Sequence, residues 1–306
     1  MINTGKIWFN GELKEHDEAK VHVLAHVLHY GSGCFEGIRL YKLKNGKSAV
    51  FRLEEHINRL FDSCKIYKME IPYTKDEFLK GILQTIKVNK LQSGYIRPLV
   101  FRGYNQLGVN PLSNPVEAII AAWEWGAYLG EEGLNNGIKV CVSSWRRPAP
   151  NTLPSLAKAS GNYLSSQLIK MEALEMGFEE GLALDYLGNI SEGSGENIFI
   201  VKNGELLTPP MGSSSLAGIT RDVVLKIAKD LGLVVKHETL PREFLYIADE
   251  IFLTGTAAEI TPVNSVDNIK IGSGSRGKVT KKIQEEFFRI VEGENEKYEK
   301  WLTVVE

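Results

Sequence analysis

Hydrophobic and polar positions alternate, cluster and repeat along this chain in ways that mark out many of its elements. Ile7-Trp8-Phe9 and Leu13 flank Asn10-Gly11, a pair that tolerates the positive φ of a tight turn, so this stretch reads as a β-hairpin. Thr74-Lys75-Asp76-Glu77 is a capping-box pattern, and Phe78, Ile82 and Ile86 follow it at helical spacing. Tyr95 to Phe101 and Glu117 to Trp123 are apolar and aromatic runs that read as buried strands. Ile138 to Val142, Gly181 to Asp185, Ile198 to Val201 and Glu250 to Leu253 predict further strands. Tyr163 to Met176, Thr220 to Leu231 and Val279 to Val291 predict helices. Gly126 to Gly137 holds several glycines and two adjacent acids, which suits a linker. The expectation is a mixed α/β chain of two domains, 1–125 and 138–306, joined over 126–137.

Composition narrows the class. At 306 residues and 43% hydrophobic, the chain can bury a sizeable core, and its length favours two domains. The net charge is −2 and the charges are mixed, which gives no footprint for nucleic acid or an anionic membrane. Cys34, Cys64 and Cys141 are scattered and odd in number, as expected of reduced thiols rather than a disulfide framework. No apolar stretch approaches transmembrane length, and Met1 to Glu12 lacks a secretory pattern, so a soluble cytoplasmic protein is expected.

Some patterns imitate sites. Gly272-Ser-Gly274-Ser-Arg-Gly277 matches a dinucleotide-binding loop, but the chain beyond leaves no second strand to present a ribose-binding acid, so a plain turn is expected. His22, His26 and His29 would lie near one face if Val21 to Tyr30 were helical, yet no acidic or thiol ligand accompanies them. They read as satisfied, partly buried histidines, and no metal is expected. Gly193-Ser194-Gly195 lacks the full nucleophile-elbow pattern.

Four segments carry chemistry when taken together. Lys158 stands alone among small and apolar residues between Pro150 and Tyr163, the setting a Schiff-base lysine needs for a desolvated amine with room beside it. Glu192 lies on a glycine-flanked turn in ISEGSGEN, where a carboxylate could keep a pyridine nitrogen protonated. Ser215-Leu216-Ala-Gly218-Ile219-Thr220-Arg221 leads into a helix whose free N–H groups suit a phosphate. Gly255-Thr256-Ala257-Ala258-Glu259 follows a strand and offers N–H groups to a second anion. Taken singly, each has an ordinary reading: a surface lysine, an exposed turn glutamate, a helix cap, a turn.

In this order the four segments resemble those of fold-type IV pyridoxal-phosphate enzymes. HYGSGCFEGIR (His29 to Arg39), SGYIRP (Ser93 to Pro98), WGAYLG (Trp125 to Gly130) and ISEGSGEN resemble, within that class, the branched-chain aminotransferases. The resemblance spans about His29 to Val263. It implies a small N-terminal α/β domain and a larger C-terminal domain built around a pseudo-barrel. It also implies a homo-oligomer, with dimer and hexamer both open. The implied reaction is amino transfer between branched-chain L-amino acids and 2-oxoglutarate, giving glutamate, with pyridoxal 5'-phosphate as cofactor.

The resemblance also assigns residues. Lys158 would anchor the cofactor and move the proton, Glu192 would pair with the pyridine nitrogen, and Tyr163 would contact the phenolic oxygen. Arg59, Leu216, Gly218, Ile219, Thr220 and Thr256 would complete the cofactor site. Phe35, Gly37, Trp125, Tyr128 and Tyr163 would wall the substrate pocket. Tyr95 and Arg97, on one strand face, would supply polar handles, with a tyrosine-bonded Arg97 taking the side-chain carboxylate of glutamate. Thr256-Ala257 and Tyr95 would hold the α-carboxylate, and Tyr30 and Val109 would reach in from a neighbouring subunit. Arg102 and Tyr104 are expected to face solvent. A D-amino-acid aminotransferase or an aminodeoxychorismate lyase shares the fold, and Tyr95-x-Arg97 argues for the L-branched-chain type.

Overall fold

The structure, a computed structural model, describes residues 4–126 and 130–305. The chain divides into two compact units. The first comprises Met1–Gly126, Ala157–Gly161 and Ile290–Glu306, the second Ala127–Leu156 and Asn162–Arg289.

The first unit opens with β1 (Lys6–Phe9), β2 (Glu12–Glu15), α1 (His26–Tyr30), β3 (Gly33–Phe35), β4 (Ile38–Lys42) and β5 (Ser48–Phe51). It continues through α2 (Leu53–Ile66), α3 (Lys75–Val88), β6 (Gly94–Arg102) and β7 (Val116–Trp123). The second holds α4 (Gly130–Asn136), β8 (Ile138–Val142), α5 (Tyr163–Glu175), β9 (Glu180–Leu184), β10 (Ile190–Gly193) and β11 (Asn197–Lys202). After these come β12 (Glu205–Thr208), α6 (Ile219–Asp230), β13 (Val235–His237), β14 (Glu250–Gly255), β15 (Glu259–Val266), β16 (Ile269–Lys270) and α7 (Lys278–Val291). β17 (Leu302–Val305) returns to the first unit.

In the first unit the sheet runs β17-β5-β4-β6-β7-β1-β2, with β3 also paired to β6. Asn10 and Gly11 turn the β1–β2 hairpin at φ 50° and 92°, as the Asn-Gly pair predicts. The capping box forms: Thr74 accepts from the Glu77 amide, and the Glu77 carboxylate accepts from the Thr74 amide at 2.7 Å. Such a cap contributes about 1 kcal/mol. Phe78, Ile82 and Ile86 of α3 meet Ile57 and Leu60 of α2 and Ile38, Ile96, Val100 and Ile120 of the sheet in one core.

In the second unit the sheet runs β10-β9-β8-β15-β14-β11-β12-β13, with β16 on β15. β8 lies parallel to both β9 and β15. A parallel neighbour needs a crossover, and α5 provides it between β8 and β9. A Cβ at Gly181 would stand 2.7 Å from Ile169 Cγ2 and 2.8 Å from its carbonyl oxygen, so glycine lets β9 approach α5. Ile138, Val140, Leu182, Ile198, Leu253 and Val263 lie at the centre of its core.

Two sequence patterns take forms of their own. α4 lies within the stretch expected as a linker, and Gln284 of α7 donates to Leu134 O (2.9 Å) and Ile260 O (2.8 Å), tying α4 to the β15 segment. Gly272 and Gly274, at φ 49° and 75°, turn the chain between β16 and α7. A Cβ at Gly272 would lie 2.1 Å from Asp249 O, so close backbone packing explains that glycine without a nucleotide.

Candidate active site

Lys158 belongs to the first unit through the short segment Ala157–Gly161. Its backbone is pinned on two sides. The amide donates to Ser63 Oγ of α2, and the carbonyl accepts from the Phe35 amide of β3, both at 3.0 Å. Ala159 bridges to Cys34, and Ala157 and Ala159 lie in the core. Their small side chains let the segment lie close against β3, and the half-buried lysine places Nζ 5.0 Å from the centre of the Phe35 ring.

The same ring carries a second cation. Tyr95 and Arg97 share a face of β6, and the Arg97 guanidinium lies 4.8 Å from the Phe35 ring and 5.5 Å from the Tyr95 ring. Among the described residues Arg97 makes no hydrogen bond to a tyrosine; the planar cation instead rests on ring faces. Its buried Nε–H has no partner. An unsatisfied buried donor costs about 1–3 kcal/mol, so this N–H marks a place for an acceptor.

Tyr95 is buried and packs edge-on against Trp125, with ring centres 4.4 Å apart. Arg39, buried on β4, donates to the carbonyls of Trp125 and Gly126 at 3.1 Å each and so fixes the chain that carries this aromatic wall. A Cβ at Gly37 would fall 1.7 Å from the Tyr95 hydroxyl oxygen, so Gly37 contributes space rather than contact. Tyr128 lies outside the described residues.

Arg59 is held by a carboxylate that single-residue reasoning overlooks. Fully buried Glu36 accepts from Arg59 Nε (2.6 Å), Arg59 Nη2 (2.8 Å) and His56 Nδ1 (2.7 Å). Burial alone would raise the Glu36 carboxyl, but the Arg59 charge and the His56 ring hold it far below the usual carboxylate range. Burial pushes the His56 ring below its ordinary value, against the pull of Glu36. The FEGIR run contains this glutamate, but its two partners are distant in sequence.

Tyr30 and Val109 stand apart from that cluster, at 48% and 88% exposure. Arg102 does not face solvent as expected. It is buried at the end of β6 and donates to Lys68 O (2.6 Å) and Asn114 O (3.2 Å). One carbonyl comes from the segment after α2 and the other from the loop after β6, and they take the two Nη groups that water would otherwise have satisfied. Tyr104 is exposed, as expected, and stacks on His22 at 4.1 Å.

In the second unit Glu192 is buried on β10. It pairs with Arg147 Nη2 at 2.8 Å and accepts from the Leu216 amide (3.0 Å) and from Asn197 Nδ2 (3.2 Å). Asn197 Nδ2 also donates to Leu216 O at 3.0 Å, so one amide joins the turn at 216 to the carboxylate. A Cβ at Gly218 would lie 1.9 Å from Asn197 Oδ1. Gly218 is the N-cap of α6 and offers no side-chain cap, which leaves the helix start at Ile219 and Thr220 to bind an anion. Thr256 and Ala257 lie in the turn closed by the Gly255–Glu259 pair. Tyr163 opens α5. An uncapped helix start, a threonine turn and a buried carboxylate suit a ligand with a phosphate and a basic ring nitrogen, as pyridoxal 5'-phosphate has.

Two charged groups here have no sequence signal. Buried Arg147 donates to Ser166 Oγ (3.1 Å) of α5 as well as pairing with Glu192. Glu196 is buried beside Gly195, whose amide donates to it at 3.0 Å. Burial, and then the charge of Glu180, push the Glu196 carboxyl up to about 8. An i, i+4 pair of glutamates in one motif therefore sits in opposite environments, one facing an arginine and one shielded, with its carboxyl pushed up.

Comparison with known proteins bears on the whole chain. The family model described as Amino-transferase class IV matches residues 33–266. A branched-chain-amino-acid aminotransferase of Escherichia coli (strain K12) is 54% identical over 300 residues, 98% of this chain and 97% of that protein. The enzyme of that name from Pseudomonas aeruginosa is 46% identical over 301 residues, again 98% and 97%. Among solved structures, the Escherichia coli branched-chain amino acid aminotransferase superposes with a TM-score of 0.97 at 53% identity, covering 99% of this chain and 100% of that one. The T.th. branched-chain amino acid aminotransferase with pyridoxamine 5'-phosphate gives 0.97 at 47%, and its complex with N-(5'-phosphopyridoxyl)-L-glutamate gives 0.95 at 45%. Both of these matches cover 100% of each chain.

Proposed function

Because the chain belongs to the class IV aminotransferase family, we propose that its clustered residues divide the work of amino transfer as follows. The protein is a fold-type IV aminotransferase that uses pyridoxal 5'-phosphate and acts on branched-chain amino acids. Its acceptor is 2-oxoglutarate, a reading supported by the phosphopyridoxyl-glutamate complex of the T.th. relative. The bound cofactor supplies an electron sink that stabilises charge at the substrate Cα.

Lys158 would anchor the cofactor, and its Nζ, freed when the substrate amine takes its place, would carry the proton from the substrate Cα to the carbon of the cofactor that receives the amino group. Glu192 would pair with the ring nitrogen of the cofactor, and Tyr163 would contact its phenolic oxygen. Arg59, oriented by Glu36, would hold phosphate, as would the Ile219 and Thr220 amides and Thr256; Leu216 and Gly218 shape the turn that precedes the helix start. Thr256, Ala257 and Tyr95 hold the α-carboxylate. Phe35, Trp125 and Tyr128 wall the aliphatic side chain, Gly37 leaves space for Tyr95, and Arg97 takes the second carboxylate of glutamate. Tyr30 and Val109, both exposed here, act on a neighbouring copy in a homo-oligomer of at least two chains. No helix among the described residues is long and apolar enough to cross a membrane. The protein works in the cytoplasm.

The observation that carries this reading is the Phe35 ring with the Lys158 ammonium 5.0 Å from its centre and the Arg97 guanidinium 4.8 Å away. One ring thus adjoins both the reactive amine and the cation that can tell a dicarboxylate from an aliphatic chain. The test is a set of single half-reactions with L-leucine, L-valine, L-glutamate and D-alanine, followed by cofactor absorbance. The three L-substrates should convert the cofactor and D-alanine should not. Conversion by D-alanine alone would overturn the reading.

A further inference from the structure

The three histidines that imitate a metal site do not lie on one helix: His26 and His29 are in α1, and His22 precedes it. α1 begins only at His26 and stops at Gly31, which takes the left-handed conformation at φ 66°. Each ring instead makes its own link. His22 stacks on Tyr104, and His29 Nε2 donates to Val23 O at 2.9 Å.

His26 is the central one, 2% exposed. Its Nε2 bonds to Gly108 O at 2.9 Å, and because a carbonyl only accepts, that nitrogen carries a proton. In the neutral ring Nδ1 must then accept, and the Ser32 hydroxyl lies 2.7 Å from it. Its backbone amide donates to Gly103 O at 3.1 Å, and its ring stacks on Tyr30 at 4.5 Å.

Loop 103–115 is already closed at its base. Gly103 N donates to Pro115 O (2.8 Å), and Asn114 Nδ2 donates to Gly103 O and Gln106 O, both at 3.0 Å. Asn105 and Gln106 bond across the loop to Ser113, but among the bonds described the only one that joins residues 107–112 to chain outside the loop is that of His26 to Gly108 O, one residue before Val109. A single side chain therefore fixes two exposed apolar residues, Tyr30 by stacking and Val109 through its neighbour. Leu28, Leu107 and Leu112 are also exposed on α1 and the loop, so an apolar surface is held in a set shape.

We infer that His26 is a positioning residue for substrate binding: it locks Tyr30 and Val109 into one surface that a second copy of this chain receives at its pocket. The inference rests on the oligomeric part of the proposed function. His26 touches no reacting atom, so its loss acts on binding rather than on proton transfer.

The experiment compares the holoenzyme with His26→Phe, which keeps a ring for Tyr30 but removes both polar contacts, and with Ser32→Ala, which removes only the Nδ1 partner. Amide exchange across 104–112 should speed up in His26→Phe, and KM for L-leucine should rise about five- to tenfold, the scale of losing the one bond that reaches the loop tip. The maximal half-reaction rate should stay within about twofold. If His26→Phe does not fold, Ser32→Ala should show the same pattern more weakly. Unchanged exchange and KM in an oligomeric variant would overturn the inference and leave the proposed function standing. Sedimentation of active wild-type protein as a monomer would overturn the oligomeric reading, and this inference with it.

Discussion

Gly37 and Tyr95 occupy almost the same space: a single carbon added at 37 would fall 1.7 Å from the Tyr95 hydroxyl oxygen and 2.6 Å from Cζ. The two strands pair through Ile38–Ile96 and Arg39–Tyr95, so neither backbone can withdraw without breaking a ladder. The tyrosine side chain would have to move. Gly37→Ala should destabilise the protein by about 1–3 kcal/mol and raise KM for every substrate, because Tyr95 would leave its place beside Trp125. Thermal unfolding and half-reaction kinetics would measure both. Adding Tyr95→Phe should recover part of the stability but not the binding, and strictly additive effects would show that the two residues do not interact.

Arg97→Leu separates the two substrate classes. Losing a charge-assisted contact in a partly dry site costs on the order of 2–5 kcal/mol, roughly thirtyfold or more in kcat/KM. That loss should fall on glutamate and 2-oxoglutarate, while leucine and valine change little. Equal losses for leucine and glutamate would assign Arg97 to the shared α-carboxylate or to the fold.

Arg147→Met should leave the Glu192 carboxylate buried without its cation. Breaking one partner of a buried pair costs about 3–5 kcal/mol, which chemical denaturation of the holoenzyme would detect. Arg147→Lys should restore some stability but not the bond to Ser166, because one ammonium cannot span both acceptors as the guanidinium does. A loss below about 1 kcal/mol for Arg147→Met would mean that Glu192 does not depend on this cation.

Glu196 makes stability depend on pH in a direction opposite to that of a salt-bridged acid. Its folded value of about 8 lies above the ordinary 4.5, so between the two the folded protein keeps a proton that the unfolded chain releases. The unfolded state then binds fewer protons, and stability falls as pH rises through this window before levelling off above about 8. Glu180, Lys170 and Glu192 are the charged groups that act on it. Glu196→Gln is expected to flatten the slope, gaining on the order of 4 kcal/mol over wild type at pH 8.5 relative to pH 5. Parallel pH–stability curves would show that Glu196 titrates normally.

What the sequence made legible was local or carried by motif. The Asn10-Gly11 turn and the Thr74–Glu77 box are complete within a few residues, and both form as expected. Lys158, among small and apolar residues, could be singled out only together with the three chemistry-bearing segments that follow it in order. The partners that orient the site could not be read this way. Glu36 meets Arg59 across 23 positions and Arg147 meets Ser166 across 19, and no periodicity announces such pairs. Arg102 departs from expectation for the same cause: its acceptors are backbone carbonyls 34 and 12 residues away, and carbonyls leave no mark on composition. α1 ends at Gly31 where a helical reading of Val21 to Tyr30 would also end, but it begins only at His26, after Ala25 in an extended conformation.

The seat of Lys158 also has a history in time. Its amide rests on Ser63, 95 positions earlier, and its carbonyl on Phe35, so the lysine arrives long after the residues that will hold it. A growing chain that has reached Gly126 already contains β3, α2 and β6 but has no amine to set among them. Contacts of such long sequence separation form slowly, because the intervening loop must close first. During synthesis the groove on β3 therefore precedes the reactive group, and until residues 157–161 settle there the protein has the walls of its chemistry without the amine.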